Sequence, residues 1–379
     1  MQEKVELGTL RNKIDDIDKK ICQLYENRME IVADILKEKQ KNDTNVLNKA
    51  REEEVLSRVV EYIDEKNQNR IRQLFQTIMR QSREIQYEGQ SSSILDADII
   101  GCEPLISLNP KKVAFAGLIG SYSHMAAKKM YLDAEHKGFQ RFSEVLASLK
   151  NGECEACILP IDNTTEGIVA DVYDGILENN LYISENIVLP IEHCLLGTQD
   201  SDINEIRIVR SHPQALGQCS EFMDKMMFDT IPESNTSVAA KRVSDENNPL
   251  QGAIASEFAA EIYGLKILSR GINNVKSNKT RFISVTRQPL IKEKADRISI
   301  SFALPHESGT LANILSAVSD YDINLLNIHS LPIPEKPWEY RFYVDIKGNV
   351  NDLKVKSILL MFKMELSEMR FLGNYEDHQ

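Results

Sequence analysis

Residues 7–35 read LGTLRNKIDDIDKKICQLYENRMEIVADI, in which Leu7, Leu10, Ile14, Ile17, Ile21, Leu24, Ile31 and Ile35 recur at alternating spacings of three and four. That is the seam of a long amphipathic helix burying one side against partner helices. Arg28 fills the seam position between Leu24 and Ile31, so a cation is planted in an apolar stripe. Lys39 follows about three turns later on the same face, about 16 Å along the axis. Arg11 is turned roughly 100° off that face and suits a neighbouring helix or chain. A helix of this length cannot cover its own stripe, and only two shorter helical segments follow before the composition changes. A dimer is therefore expected, in which Arg11 of one chain reaches the cations of the other.

The second segment, near residues 48–65, sets Asn48, Arg51 and Glu52 on one face. The third, near residues 70–87, carries Ile71, Leu74, Phe75, Ile78 and Ile85 with Ser82 and Gln86 one turn apart. Buried polar groups need partners, and an anionic ligand would supply them. On spacing alone, a helical dimer whose seam charges only fix register fits equally well.

In type and order, Arg11, Arg28, Lys39, Arg51, Glu52, Ser82 and Gln86 resemble the active-site set of the all-helical chorismate mutases. The resemblance implies an intertwined dimer that rearranges chorismate to prephenate by positional and electrostatic catalysis. It implies that Arg28, Arg51 and the other chain's Arg11 hold the carboxylates. Lys39 and Gln86 would donate to the ether oxygen, and Glu52 and Ser82 would position the ring hydroxyl and a carboxylate. Asn48 stands where the family has aspartate; it keeps a hydrogen bond to the hydroxyl and removes one charge, so activity is expected to be reduced or retained.

The 379 residues are 42% hydrophobic with a net charge of −12. No apolar run approaches the roughly 18 residues of a membrane span, and two or three domains are expected. With no charged-then-apolar leader, a cytoplasmic location is the expectation. The acidic balance argues against nucleic acid or an anionic membrane as partner. Six scattered cysteines read as reduced thiols; Cys154 and Cys157 share a C-x-x-C spacing, but no second pair or nearby histidine completes a metal site, and neither metal nor cofactor is expected.

Residues 89–110, beginning near Gly-Gln-Ser-Ser-Ser and ending at Asn-Pro, read as a linker after a helical domain of residues 1–88. From residue 111 strands and helices alternate: strand 112–116, helix 123–132, strand 141–142, helix 143–151, strand 156–159. This is α/β grammar. Three segments put small or hydroxylic residues before a helix: Gly117-Leu-Ile-Gly-Ser-Tyr-Ser-His124, Pro160-Ile-Asp-Asn-Thr-Thr-Glu-Gly167 and Ser211-His-Pro-Gln214. Such turns present backbone N–H groups to an anion, although ordinary capping favours the same residues.

With Thr280-Arg281-Phe282, these segments resemble prephenate dehydratase over residues 111–290. The resemblance implies two lobes arranged like a periplasmic binding protein, residues 191–268 forming the second, that enclose prephenate and expel carbon dioxide and the ring hydroxyl. It implies Thr280 as proton donor or activator, with Arg281, Asn163 and Thr164 holding carboxylates and Asp162, Ser211 and Gln214 in a relay network. Ser121, Tyr122, Gly167 and Phe282 would complete the substrate site.

Residues 295–379 change rhythm to β-α-β-β-α-β, a ferredoxin-like α+β order. With Ser308-Gly-Thr-Leu-Ala-Asn313 opening the first helix, they resemble the ACT regulatory domain, which in fused dehydratases binds phenylalanine. Gly309, Leu311, Asn313 and Ser330 are the implied effector contacts. Gly309-Thr310-Leu311 replaces the family's Gly-Ala-Leu, and His329-Ser330-Leu331-Pro332 replaces Glu-Ser-Arg-Pro; His329 itself reads as a surface histidine. The expectation is a multi-domain, bifunctional homodimer, or a higher oligomer, acting on chorismate and prephenate under phenylalanine control. Alternatives are a monofunctional dehydratase whose helical domain only dimerises, and a non-catalytic amino-acid sensor.

Overall fold

The structure is a computed structural model that describes residues 7–42, 44–91, 96–333 and 336–378. The chain divides into two compact units. One comprises the described residues of Met1–Ile99, Phe302–Leu325 and Val350–Met369; the other comprises the described residues of Ile100–Ser301, Leu326–Asn349 and Arg370–Gln379.

In the first unit, α1 (Leu7–Lys41) is the expected long helix. Only Val32 and Leu36 of it are buried, while the seam residues Leu7, Leu10, Ile14, Ile17, Ile21, Leu24, Ile31 and Ile35 are 44–68% exposed. A chain that builds such a stripe and leaves it uncovered has an apolar face still to bury. α2 (Lys49–Val60) begins one residue after Asn48, whose side chain caps it by accepting the Arg51 N–H at 3.0 Å. α3 (Gln68–Ser91) outruns the expected end at residue 87 and so enters the expected linker, and α4 (Asp96–Ile100) adds a short turn of helix.

The second unit holds two sheets. β1 (Lys112–Ala116), α5 (Tyr122–Met130), β2 (Glu135–Phe139), α6 (Phe142–Lys150), β3 (Ala156–Asn163), β4 (Gly167–Ile168), α7 (Ala170–Glu178) and β5 (Tyr182–Pro190) come first. Two expectations change here. The strand expected at 141–142 lies at Glu135–Phe139, because Arg141 and Phe142 instead open α6, where Arg141 takes the N-cap position and Glu144 reaches back to its N–H at 3.1 Å. β3 runs four residues past Leu159, so the Pro160–Gly167 segment is strand up to Asn163, turn over residues 164–166 and strand again at Gly167.

Next come β6 (Cys194–Gly197), β7 (Ile208–Ser211), α8 (Pro213–Gln218), α9 (Ser220–Met226), β8 (Asp229–Pro232), α10 (Thr236–Glu246), β9 (Gln251–Ala255), α11 (Glu257–Tyr263) and β10 (Lys266–Ser269). They build a sheet ordered β10-β6-β9-β7-β8. β11 (Lys279–Thr286) then returns to the first sheet, ordered β2-β1-β3-β11-β5, antiparallel to both β3 and β5. Central and buried from Thr280 onward, β11 is a nearly continuous buried run, as a strand covered on both faces must be. Val145, Leu149, Leu159, Val172, Ile176 and Ile283 pack as one core on one side of this sheet, and Val113, Phe115, Ile158 and Phe282 as another.

The C-terminal residues supply β12 (Arg297–Leu304), α12 (Thr310–Asp320), β13 (Leu325–Pro332), β14 (Tyr340–Lys347), α13 (Leu353–Glu365) and β15 (Ser367–Tyr375), with sheet order β13-β14-β12-β15. The β-α-β-β-α-β succession is present. Within the first unit, α13 packs against α3, an arrangement no local sequence pattern announces.

Two candidate active sites

α1, α2 and α3 bring part of the expected mutase set together. Arg28 donates to the Ser82 hydroxyl, and Ser82 donates on to the Ile78 carbonyl at 2.6 Å. Lys39 Nζ donates to the Val46 carbonyl at 2.5 Å. Burial pushes the Arg28 guanidinium and the Lys39 ammonium below their ordinary values, and Glu52 acts on both in the opposite sense. Two partly desolvated cations beside one carboxylate favour an anionic guest. Gln86, 5% exposed, donates to the Ser82 carbonyl at 3.0 Å, while its own carbonyl oxygen has no hydrogen-bond partner among the described residues. An orphaned buried acceptor is the mark of a site that a ligand completes.

Other members of the set stand apart. Arg51 is exposed and pairs with Glu54 at 2.7 Å, and Arg11 is exposed on α1. Asn48 is occupied as the α2 cap.

In the second unit, a cleft of about 620 Å³ opens at the carboxyl ends of the parallel strands. It is lined by Ser121, Tyr122, Asn163, Gly167, Gln214, Thr280 and Phe282 among the expected residues. Ser121 caps α5 by accepting the His124 N–H at 3.2 Å, and Asn235 caps α10 by accepting the Ser237 N–H at 2.9 Å, so two helix N-termini meet at the cleft. Gly117, at φ +95°, permits their approach: a Cβ there would lie 2.8 Å from Asn235 Nδ2. Among the described residues lining the cleft there is no lysine or arginine. An anion held here would rest on helix N–H groups and neutral side-chain donors.

A hydrogen-bond network fixes the cleft floor. The Asn163 carbonyl oxygen accepts from Thr165 N at 2.9 Å, Thr165 Oγ1 at 2.7 Å and Glu166 N at 3.0 Å. Three donors on one oxygen settle the amide's orientation, so its Nδ2 must point to Thr280 Oγ1, at 2.7 Å, and to Asn278 Oδ1, at 3.0 Å. Gln218 joins from α8, donating to Glu166 Oε1 at 3.0 Å and lying 3.2 Å from His193 Nε2. Burial pushes the His193 imidazole down to about 4, so it is neutral at pH 7. Its Nε2–H then donates to Gln218 Oε1, and its Nδ1 faces the Tyr122 hydroxyl at 3.3 Å.

Four expected members, Asp162, Thr164, Ser211 and Arg281, are not among the residues that line this cleft. Thr280 and Phe282 face it, so strand alternation turns Arg281 to the opposite side, where it pairs with Asp345 at 2.8 Å. Burial works against its charge, but Asp345 raises the guanidinium above its ordinary value. Asp162 lies opposite Arg281 in register; with Thr164 the two line a separate hollow of about 250 Å³ beside Lys279 and Arg297. Ser211, fully buried, donates its hydroxyl to the Ile254 carbonyl at 2.6 Å and serves the second sheet.

The sequence reading missed Glu166, His193, Gln218, Asn235 and Asn278. Asn235 carried a visible signal, since Ser234-Asn235-Thr236 repeats the hydroxylic pattern of the other turns. Gln218 sits one turn after Gln214. His193 and Asn278 reach the network through long-range pairing, Ile191 N donating to Asn278 O at 2.9 Å, which no local pattern encodes.

Of the expected effector contacts, Gly309 is the left-handed N-cap of α12 at φ +89°, and its carbonyl accepts the Asn313 N–H at 2.9 Å; Leu311 follows in the first turn. Ser330 is exposed on β13. His329 is not a plain surface histidine: it is partly buried, accepts from Asn327 Nδ2 at 2.9 Å, and is pushed below its ordinary value by burial. Cys154 and Cys157 are buried free thiols, held above their ordinary values by burial. No helix among the described residues is long and apolar enough to cross a membrane.

A family model described as chorismate mutase type II matches residues 10–87, and one described as prephenate dehydratase matches residues 113–290. The chain is 31% identical over 385 residues to a bifunctional chorismate mutase/prephenate dehydratase of Buchnera aphidicola subsp. Schizaphis graminum, with 99% of this chain and 97% of that one covered. It is 29% identical to the protein of the same description from Escherichia coli K12, with 97% and 96% covered. A solved prephenate dehydratase from Arthrobacter aurescens, in complex with L-Phe, is 27% identical with a TM-score of 0.65, covering 70% of this chain and 90% of that one. Both sets of candidate residues fall inside the matched regions, and whole-length relatives join the same two halves: the chain belongs to the bifunctional chorismate mutase/prephenate dehydratases.

Proposed function

We propose that the two activities, rearrangement of chorismate to prephenate and its conversion to phenylpyruvate, are carried by two separate sets of residues. The mutase set is Arg28, Lys39, Glu52, Ser82 and Gln86 of one protomer with Arg11 of a second copy docked on the exposed α1 seam; Asn48 and Arg51 frame its edge. The chemistry is a pericyclic shift with no covalent intermediate, so these groups act by holding the dianion folded and stabilising negative charge at the ether oxygen. Lys39 and Gln86 are the donors to that oxygen.

In the dehydratase cleft, Thr280 acts on the ring hydroxyl. Asn163 Nδ2 fills the acceptor side of the Thr280 oxygen at 2.7 Å, which leaves the threonine O–H free to donate into the cleft. That observation carries the reading. The bond to the departing carboxylate breaks, its electron pair enters the ring, and the C–O bond opens as the hydroxyl takes up a proton and leaves as water. Aromatisation drives the step, so the protein's part is orientation and protonation. The substrate carboxylates rest on the α5 and α10 N-termini, with Gln214 and Gln218 as neutral donors, Tyr122 as wall, its hydroxyl donating to the Glu192 carbonyl at 2.7 Å, and Phe282 excluding water. Arg281 orders the far side of the sheet instead.

The C-terminal β-α-β-β-α-β segment is read as an ACT sensor of phenylalanine, with Gly309, Leu311, Asn313 and Ser330 as contacts; the L-Phe complex of the Arthrobacter relative supports this. Thr280→Val tests the central assignment. Loss of about 100-fold or more in prephenate conversion is expected, with chorismate consumption unchanged. Turnover like that of the wild type refutes the role of Thr280.

A further inference from the structure

α3 presents two working faces. Ser82 and Gln86 turn to the mutase set, while Arg80 pairs with Asp320 of α12 at 2.7 Å and Arg83 with Glu365 of α13 at 2.8 Å. Arg83 also pairs with Glu52 at 2.5 Å. The two contacts use different edges of one guanidinium: Nη1 meets Glu52 Oε1, and Nε meets Glu365 Oε1.

A guanidinium is a rigid planar fork, so fixing one edge fixes the direction of the other. Glu365 is itself largely withdrawn from water, its side chain 13% exposed, and burial pushes its carboxyl above the ordinary value while Arg83 draws it back. Burial works against the charge on Arg83, and Glu365 and Glu52 together hold the guanidinium above its ordinary value. The arrangement therefore does more than neutralise charge. It sets where the Glu52 carboxylate points and leaves Glu52 Oε2 outside the Arg83 contact.

We infer that Arg83 is a positioning residue of the mutase site, aimed at Glu52 by Glu365, so that the last helix of the chain sets the geometry in which chorismate is held. The inference rests on the proposed role of Glu52 toward the ring hydroxyl. Glu52 meets that hydroxyl before and during the rearrangement, so misplacing it weakens binding more than turnover.

The experiment is chorismate kinetics on the full chain, with prephenate conversion by the same preparation as the control for the fold. Arg83→Lys keeps the charge and loses the fork; Glu365→Leu loses the anchor. Each is expected to raise KM for chorismate about tenfold, the equivalent of one hydrogen bond to a charged group, with kcat little changed. Glu365→Gln, whose amide oxygen still accepts from Nε–H, is expected to restore a KM close to that of the wild type. The Arg83→Lys/Glu365→Leu double variant should be no worse than either single one.

Should Glu365→Leu fail to fold, Glu365→Asp, which keeps the charge but draws the anchor back, is expected to raise KM in the same direction. Wild-type KM in Glu365→Leu, Glu365→Asp or Arg83→Lys, or mutase and dehydratase falling together, overturns the inference. Glu52→Gln separates the two levels. If it leaves chorismate turnover untouched, the proposed role of Glu52 fails; if it abolishes turnover while Glu365→Leu has no effect, only the Arg83 inference fails.

Discussion

Thr280, Arg281 and Phe282 are adjacent, yet they serve opposite sides of one strand. The alternation of a strand is certain once the strand is known, but which parity faces the cleft depends on the pairing of Thr280 with Asn163 and of Arg281 with Asp162. That pairing joins residues more than a hundred positions apart, so the motif was legible in the sequence and its division of labour was not. Arg281, 7% exposed, shares the buried carboxylate of Asp345 with Arg297, at 3.2 Å from the latter. Arg281→Gln is expected to cost about 3 kcal/mol of stability, seen as a lowered thermal midpoint, because it removes one partner from a buried ion pair. Its KM for prephenate should stay close to that of the wild type. A large rise in KM with an unchanged midpoint would return Arg281 to the cleft.

At the scale of elements, periodicity read the first helix well, since a 35-residue helix states its seam many times over. On the proposed reading, a second copy covers the stripe of exposed leucine and isoleucine along α1 and brings its exposed Arg11 to the mutase set. Ile17→Glu puts a carboxylate on that seam. It is expected to shift the protein to monomer in sedimentation and to abolish chorismate turnover while prephenate conversion persists; a dimer with full mutase activity would show that another surface holds the copies together. Short strands were the least legible elements. β2 carries Glu135, His136 and Lys137 on a half-exposed edge, and without an apolar alternation it left no pattern to find. The packing of α13 on α3 was equally silent, because an amphipathic helix declares that it has an apolar face without naming its partner.

The whole molecule is acidic, and both of its substrates are dianions. Each site must therefore be locally favourable to negative charge, and on the proposed assignment the two do so differently: by half-buried cations in the helical unit and by helix N-termini in the cleft. A sensor reading of the C-terminal segment adds a thermodynamic consequence. Phenylalanine at about 100 times its Kd is expected to raise stability by about 2.7 kcal/mol and to lower the dehydratase rate; an unchanged thermal midpoint and an unchanged rate would remove that role. The division into two independent sites is tested most directly by supplying Lys39→Ala protein first with chorismate and then with prephenate, while following chorismate, prephenate and phenylpyruvate together. Chorismate consumption should fall by about 100-fold or more, and added prephenate should be converted at the wild-type rate. Undiminished chorismate loss, or loss of both reactions at once, would contradict the account.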